Sequence, residues 1–316
     1  MNRMILVAIS IVLLMPTMAA AQLAGANTKG DIGLLSGTQP PPGFYVVPVF
    51  YQYSPDRALD KNGDEIAPIL GGGSIDIKAG VVGLLWVSDF KIFGANYSAA
   101  IWPALANGKL QFPVLEINRN LSTGFADLYI QPFTLGWHLD RADLNAGLGL
   151  FAPTGKYEAS GENNTGLGMW TYEIFGGTTL YLDKAKSWNF AATASYEIHG
   201  KKEDSDVRVG DILTLEGGLG KSFMKGAVNV GIAYYAQWKI TNDDFGLDFN
   251  LPDGPLFGKH RVYGFGPDVT IPLASKKKFW GSLNLRYFWE TGARTTLQGS
   301  TFIATLAFPI PSIPLQ

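Results

Sequence analysis

The connections between the predicted β-strands alternate between short and long along the whole chain. Predicted tight turns include residues 89–90 and 139–141, and predicted long loops include residues 104–123, 154–166 and 291–298. A bacterial outer-membrane barrel has this arrangement, because its short periplasmic turns lie at one end and its longer extracellular loops at the other. The pattern therefore predicts an all-β fold: a transmembrane antiparallel β-barrel with an even number of strands and both termini periplasmic.

The segments between these connections alternate between apolar and polar residues. In residues 142–153, for example, Leu144 and Leu148 share the apolar face and Asn145 lies on the opposite face. A strand has a period of two, so one face of each segment can meet lipid while the other lines the lumen. About twelve segments fit this pattern. Their approximate spans are residues 43–53, 75–88, 91–103, 124–138, 142–153, 167–182, 187–199, 211–223, 226–239, 259–272, 277–290 and 299–308.

The composition agrees with a membrane barrel and excludes several other classes of protein. Only 16% of the 316 residues are charged, the formal net charge is −2, and there is no cysteine. Soluble domains carry about 25% charged residues. The absence of cysteine excludes a disulfide scaffold, a thiolate metal site and a cysteine nucleophile. The near-neutral charge argues against nucleic acid as a partner, which requires a basic face.

The N-terminal residues have the features of an export signal. Asn2 and Arg3 precede an apolar run at residues 4–15, and Ala19-Ala20-Ala21 supplies small residues for cleavage. The apolar run is too short to span a bilayer, which takes about 20 residues. We therefore expect a signal peptide at residues 1–21, cleaved after Ala21, and a mature protein in the outer membrane of a Gram-negative bacterium. Residues 22–42 form either a periplasmic N-terminal segment or a plug, and residues 43–316 form the barrel.

The inward faces of the predicted strands carry both charged and aromatic side chains. In one interpretation the aromatic rings line a path for an apolar solute and the charges orient it. In the other, the charges pair across the lumen and occlude it. Acidic groups outnumber basic ones, so an open pore should favour cations or neutral solutes over anions. The predicted lumen residues are Phe50, Trp86, Trp102, Asp127, Gln131, Phe151, Glu173, Phe175, Glu197, His199, Glu216, Asp268, Trp280, Arg286, Phe288 and Glu290.

Several short motifs, spread over residues 37–308, resemble one family. They are GTQPPPG at 37–43, ADLYIQP at 126–132 with LGW at 135–137, APTGKY at 152–157, MWTYE at 169–173, YEIHG at 196–200 and RYFWE at 286–290. Together and in this order they resemble the outer-membrane transporters linked to the phenol meta-cleavage pathway. The chain has Ala126 where that family tends to have glycine. The resemblance implies a β-barrel and the uptake of aromatic compounds.

The sequence leaves two alternatives to a passive channel for small hydrophobic or aromatic compounds. The first is an occluded barrel with a structural or surface-interaction role. The second, an outer-membrane lipid-modifying enzyme, needs a nucleophile next to a base. Ser195 and His199 share a strand face but are about 13 Å apart, which is too far for a dyad. We therefore expect no enzyme activity, catalytic residue, metal or cofactor. The expected partners are outer-membrane lipids, lipopolysaccharide and a small apolar or aromatic solute.

Overall fold

The computed structural model describes residues 23–66, 74–112, 117–159, 161, 163–224, 227–246, 258–275, 278–311 and 313–314. The predicted signal peptide lies outside these residues. In the part of the chain described, no helix is long and apolar enough to cross a membrane.

The fold consists of β-strands joined by turns and loops. In chain order the strands are β1 (Gly43–Leu59), β2 (Ser74–Ile92), β3 (Ala95–Trp102), β4 (Ala104–Phe112), β5 (Ile117–Phe125), β6 (Leu128–His138), β7 (Ala142–Ala152), β8 (Thr171–Tyr181), β9 (Trp188–His199), β10 (Ile212–Phe223), β11 (Val228–Lys239), β12 (Arg261–Ser275), β13 (Lys278–Arg294), β14 (Thr296–Ile310) and β15 (Ile313–Pro314).

The sheet closes on itself because β1 pairs with both β14 and β2. Pro103 interrupts a single wall strand formed by β3 and β4, which both pair with β2. Residues 126–127 interrupt a second wall strand formed by β5 and β6, which pair with β4 and β3 respectively. The barrel therefore has twelve antiparallel wall strands, as the alternating segments predicted, and β15 is a short addition beside β13.

The two ends of the barrel differ in the length of their connections. The turn end carries short links such as Phe93-Gly94 and residues 139–141, and the loop end carries long connections such as residues 153–170. The turn predicted at residues 89–90 lies instead at Phe93-Gly94, because a bulge after Val87 lengthens β2. Both turn residues have positive φ, and glycine adopts this conformation at no steric cost.

Two of the predicted loops continue the barrel wall instead. The predicted loop at residues 104–123 contains β4 and most of β5, and residues 291–298 belong mainly to β13 and β14. Asn107, Lys109 and Asn120 give the β4–β5 hairpin polar residues in both strands. Pairing at the loop end does not require an apolar face, so the period-two pattern used to find strands is absent there.

The outer and inner faces of the strands have opposite character. Leu148, Ile174 and Ile232 are 48%, 57% and 61% exposed on the outer face. Glu216 and Asp268 point inward and are buried. The predicted apolar face of residues 142–153 is thus the outer one, and Asn145 lies inside. Such a barrel presents apolar side chains to lipid and keeps its polar groups in the bore.

Residues 23–42, called the inner segment below, run through the bore. Leu23 lies at the loop end, where its carbonyl accepts a hydrogen bond from Lys239 Nζ (2.9 Å). The segment then continues to the turn end, where β1 begins. Ile310 also lies at the turn end, opposite Phe44 of β1. The first described residue and the end of the wall are therefore at opposite ends, which differs from the prediction that both termini share one end. The physical reason is that the bore offers acceptors for the backbone of the inner segment.

Candidate functional site

The acidic side chains of the bore accept hydrogen bonds from the backbone of the inner segment. Glu197 accepts from the N–H groups of Ala26 (2.7 Å) and Asn27 (3.1 Å). Glu216 accepts from Gly30 N–H (2.7 Å) and Ile32 N–H (3.3 Å). The inner segment consists of turns and bends and pairs with no strand, so most of its N–H groups lack a backbone partner, and a buried N–H group needs one. The barrel carboxylates take the place of the missing strand.

Side chains of the inner segment add polar contacts near the loop end. Asn27 Nδ2 donates to Ser195 Oγ (2.9 Å) and to Glu173 Oε1 (3.2 Å). Lys29 Nζ forms an ion pair with Glu290 Oε1 (2.6 Å) and lies 4.7 Å from the centre of the Tyr53 ring. The Glu290 side chain has no exposed surface. The buried acid is thus neutralised by a cation that belongs to the inner segment.

The middle of the inner segment is held at Leu34, Ser36 and Gly37. Leu34 N–H donates to Asp268 Oδ2 (3.1 Å), while its carbonyl accepts from Asn189 Nδ2 (2.7 Å). Ser36 accepts from Asn145 Nδ2 (2.9 Å) through its carbonyl oxygen. A Cβ atom on Gly37 would lie 2.2 Å from a backbone carbon of Thr178, so only glycine fits at this position.

Near the turn end, Thr38 and Gln39 complete the attachment. Thr38 Oγ1 donates to Asp143 Oδ2 (2.9 Å), and Gln39 Nε2 donates to the carbonyl of Asn96 (3.4 Å). The contacts of the inner segment therefore extend from one end of the bore to the other, and most of them involve β7 to β13.

The bore wall formed by β1 and β2 has a different character. Tyr53 of β1 reaches Glu290, so the odd-numbered residues of β1 point inward, and their partners in β2 share that face. No hydrogen bond among the described residues joins the inner segment to β2. Leu35 of the inner segment is 38% exposed although it lies within the bore. The inward residues of this wall are mostly apolar: Val47, Val49, Tyr51, Ile77, Ala79, Val81 and Leu85.

Most of the predicted lumen residues do lie on the inner face of the barrel. The buried ones hold or surround the inner segment, and Trp102 Nε1 donates to Gln131 Oε1 (3.0 Å). The Phe151 ring stacks on Tyr129, and Phe175 lies on the same inner face of β8 as Glu173. The predicted residues on the inner face are Trp102, Gln131, Phe151, Glu173, Phe175, Glu197, His199, Glu216, Asp268, Arg286, Phe288 and Glu290.

Four predicted lumen residues lie elsewhere. Phe50 and Trp86 are on the outer face, where Phe50 packs against Phe302 and Trp86 stacks on Phe44. Both faces of β1 and β2 are apolar, so alternation could not distinguish inside from outside there. Trp280 is half exposed at a bulge near the turn end.

Asp127, the fourth of these residues, lies between β5 and β6 and forms hydrogen bonds with the connection between β7 and β8. Its oxygens accept hydrogen bonds from Gly155 N–H (3.0 Å) and Leu167 N–H (2.7 Å). Next to it, Lys202 Nζ donates to the Leu167 carbonyl (2.6 Å), and burial lowers the pKa of Lys202 to about 8. Asp127 therefore fixes a loop instead of facing the lumen.

Each histidine has a side-chain partner, which is a carboxylate for His138 and His199 and the Gln237 amide for His260. His199 Nε2 lies 3.1 Å from Glu197 Oε2, and His138 Nδ1 lies 3.1 Å from Asp143 Oδ1. Ser195 Oγ accepts from Asn27, as described above. Among the described residues, no group of three or more His, Asp or Glu side chains could hold a metal ion.

Sequence reasoning did not identify Asn27 and Lys29 as site residues, although it considered residues 22–42 as a plug. One signal was available, because glycines recur at Gly25, Gly30, Gly33 and Gly37. Recurrent glycine in a polar segment indicates close backbone approach to another surface.

Comparisons with known proteins agree with this architecture. A family model described as "Putative MetA-pathway of phenol degradation" matches residues 55–306. No curated protein matches the sequence. The fold is similar to the COG4313 outer membrane channel from Pseudomonas putida F1, with 13% identity, a TM-score of 0.71 and coverage of 89% of this chain and 99% of that one. It is also similar to the β domain of the Bordetella autotransporter BrkA, with 12% identity, a TM-score of 0.50 and coverage of 85% and 99%. At these identities the similarity establishes an outer-membrane β-barrel fold.

Proposed function

The chain belongs to the phenol-degradation family whose model it matches over residues 55–306, and from this premise we propose that it is an outer-membrane channel for the passive uptake of small hydrophobic or aromatic compounds. The signal peptide is removed after Ala21, the loop end faces the outside, and the turn end faces the periplasm. The channel requires no cofactor. In the described conformation the inner segment occupies the bore.

One observation supports this proposal most strongly: the bore has two unlike walls. The walls of β7 to β13 hold the inner segment through polar groups, whereas the wall of β1 and β2 presents apolar side chains such as Val49, Ile77 and Val81. Leu35 of the inner segment is exposed inside the bore. An apolar solute gains by leaving water for an apolar surface. A path between the inner segment and this wall therefore suits a hydrophobic ring better than a sugar or an ion.

The attachment of the inner segment is compatible with movement. It depends on hydrogen bonds, each of which adds only about 0.5–1.5 kcal/mol net, or about 1.5–3 kcal/mol when one partner is charged. Water can replace such partners one at a time. If the inner segment were held by a continuous apolar interface, its movement would expose the whole apolar area to water in one step. The inner segment therefore acts as a closure that can shift while the barrel remains folded.

The proposal is tested by measuring uptake into liposomes that contain the purified protein. We expect phenol and toluene to enter faster than a small sugar or a cation. Trp102→Ala should slow entry of the aromatics, because Trp102 lies on the inner face. Trp86→Ala is the matched control, since Trp86 lies on the outer face. Equal entry of all small solutes would indicate a general pore instead.

The alternative is an occluded barrel with a structural or surface-interaction role. The hydrogen bonds that hold the inner segment from the loop end to the turn end favour this alternative. If no solute enters liposomes while gel mobility shows a folded barrel, the occluded barrel is the better description. Uptake that appears only after substitution of Glu216 would instead show that the inner segment controls the channel.

A further inference from the structure

A polar pocket of about 360 Å³ at the loop end contains three arginines. It lies beside the loop-end residues of β1, β12, β13 and β14. Asn62, Thr291 and Gln298 also line it. No aspartate or glutamate is among the described residues that line it. The three arginines are Arg57, Arg261 and Arg294. Their concentration in one small space needs an explanation, because like charges repel.

The register of the sheet shows which two arginines repel each other. Arg261 of β12 and Arg294 of β13 are directly opposite each other. Like charges at opposite positions on neighbouring strands destabilise a sheet. An anion between the two guanidinium groups would convert the repulsion into attraction. The pairing is therefore better explained by an anionic ligand than by the stability of the barrel alone.

Among the described residues, the acidic groups near the pocket neutralise the arginines only weakly. Arg57 Nε lies 3.6 Å from Asp56, but both side chains are about half exposed or more. Asp60 accepts hydrogen bonds from the N–H groups of its own turn, including Asn62 (2.8 Å) and Asp64 (2.9 Å). Arg261 Nε is buried and has no hydrogen-bond partner among the residues that the structure describes. The pocket thus contains a guanidinium donor, Arg261 Nε, that the described residues leave unused.

The position of the pocket indicates what kind of anion it can bind. Arg261, Tyr263 and Phe265 alternate along β12, so all three lie on the outer face. The Arg261 guanidinium lies 5.8 Å from the centre of the Tyr263 ring. Below it, Phe265 and Trp289 are each 51% exposed on the lipid-facing surface. The pocket is therefore continuous with the band of aromatic residues that marks the boundary between lipid and water.

We propose that Arg57, Arg261 and Arg294 bind a phosphate group of the glycolipid in the outer leaflet. The planar guanidinium group matches phosphate through paired hydrogen bonds, which a lysine does not provide. The acyl chains of the same lipid would lie against Phe265 and Trp289. This inference rests on the proposed outer-membrane location of the barrel, with the loop end outside, but not on transport activity.

The test measures lipid retention by native mass spectrometry of the full-length protein in detergent. Lipid A, its dephosphorylated form and phosphatidylethanolamine are compared as ligands. We expect the wild-type protein to retain lipid A at least tenfold better than the other two. Arg261→Gln combined with Arg294→Gln should abolish this preference. Replacing the same two arginines with lysine should restore part of it, because the charge returns without the planar geometry.

The controls separate this site from general effects of charge and folding. Lys61→Gln removes one positive charge from the same loop outside the pocket, and it should leave lipid A retention unchanged. Heat-modified gel mobility identifies any variant that fails to fold, and Arg57→Gln alone provides a milder substitution on the surface. Solute uptake is measured separately, so the failure of the channel proposal would not affect this result.

Two outcomes would overturn the proposal. Equal retention of lipid A by the wild type and the folded double variant would show that the arginines do not bind it. Displacement of lipid A by inorganic phosphate or benzoate at equal concentration would assign the pocket to a small soluble anion.

Discussion

Glu216 is stabilised inside the bore by hydrogen bonds that it accepts from two backbone N–H groups of the inner segment. Buried carboxylates ordinarily need a cation or several hydrogen-bond donors. Glu197 follows the same rule with Ala26 and Asn27. The sequence suggested that these acidic residues would select cations. In the structure, they hold the inner segment.

Glu216→Gln should loosen the inner segment without disrupting the barrel. Glutamine has one acceptor oxygen, so either the Gly30 or the Ile32 N–H group loses its partner. The chain has no cysteine, so a single Leu35→Cys substitution provides a clean reporter inside the bore. We expect Glu216→Gln to increase the labelling rate of this cysteine by a small maleimide about tenfold. Glu158→Gln, on an exposed loop side chain, is the control, and equal rates in both variants would contradict the holding role of Glu216.

The two faces of β7 predict unequal effects of a new charge. Leu148→Arg places a cation against lipid at mid-strand and should reduce the free energy of unfolding by about 2–4 kcal/mol. Asn145→Arg places the same charge in the bore, where it costs one hydrogen bond to Ser36. Denaturation followed by heat-modified gel mobility measures both variants. Equal and small effects would mean that the face assignment is wrong.

At the scale of elements, the twelve wall strands and the difference between the two ends follow from the sequence. Alternation of apolar residues carries this information wherever one face meets lipid. It fails for β1 and β2, because Phe44 and Phe50 on the outer face and Val47 and Val49 on the inner face are all apolar. It also fails at the β4–β5 hairpin and at the bulge beside Trp280, where pairing shifts by one residue.

Asp127 should control the loop that follows β7. Asp127→Asn removes a charged acceptor from the Gly155 and Leu167 N–H groups, and hydrogen bonds to a charged group are worth about 1.5–3 kcal/mol each. We expect amide hydrogen exchange at residues 155 and 167 to become at least tenfold faster. Asp140→Asn, in a turn at the opposite end, should leave both amides unchanged. Unchanged exchange in Asp127→Asn would show that other contacts of the loop, such as the hydrogen bond from Lys202 to Leu167, are sufficient to hold it.

At the scale of the whole molecule, removal of the inner segment should produce a cation-selective pore. The acidic side chains now bound to it would then face water, and they outnumber Arg286 and Lys239 on the same inner face. The experiment deletes residues 24–36, verifies folding by gel mobility, and measures the reversal potential in a potassium chloride gradient. A preference for chloride would contradict this view of the bore.

The partners of the inner segment could not be predicted from the sequence. Residues 22–42 could be recognised as a segment outside the wall, and a plug was one of two interpretations. The pairing of Lys29 with Glu290, however, joins residues far apart in the chain. It depends on strand tilt and on the path of the segment, which no local pattern of residues encodes.

The path of the inner segment also has a consequence for biogenesis. Its attached end joins β1 at the turn end, and Leu23 lies beside Lys239 at the other end. The same β1 forms the last seam of the wall by pairing with β14. Threading a finished barrel would require the chain to slide past the tight approach of Gly37 to Thr178. Assembly is simpler if the strands form around an inner segment that is already in place. The N-terminal residues would then act as a template for the barrel wall before β1 pairs with β14 and closes it.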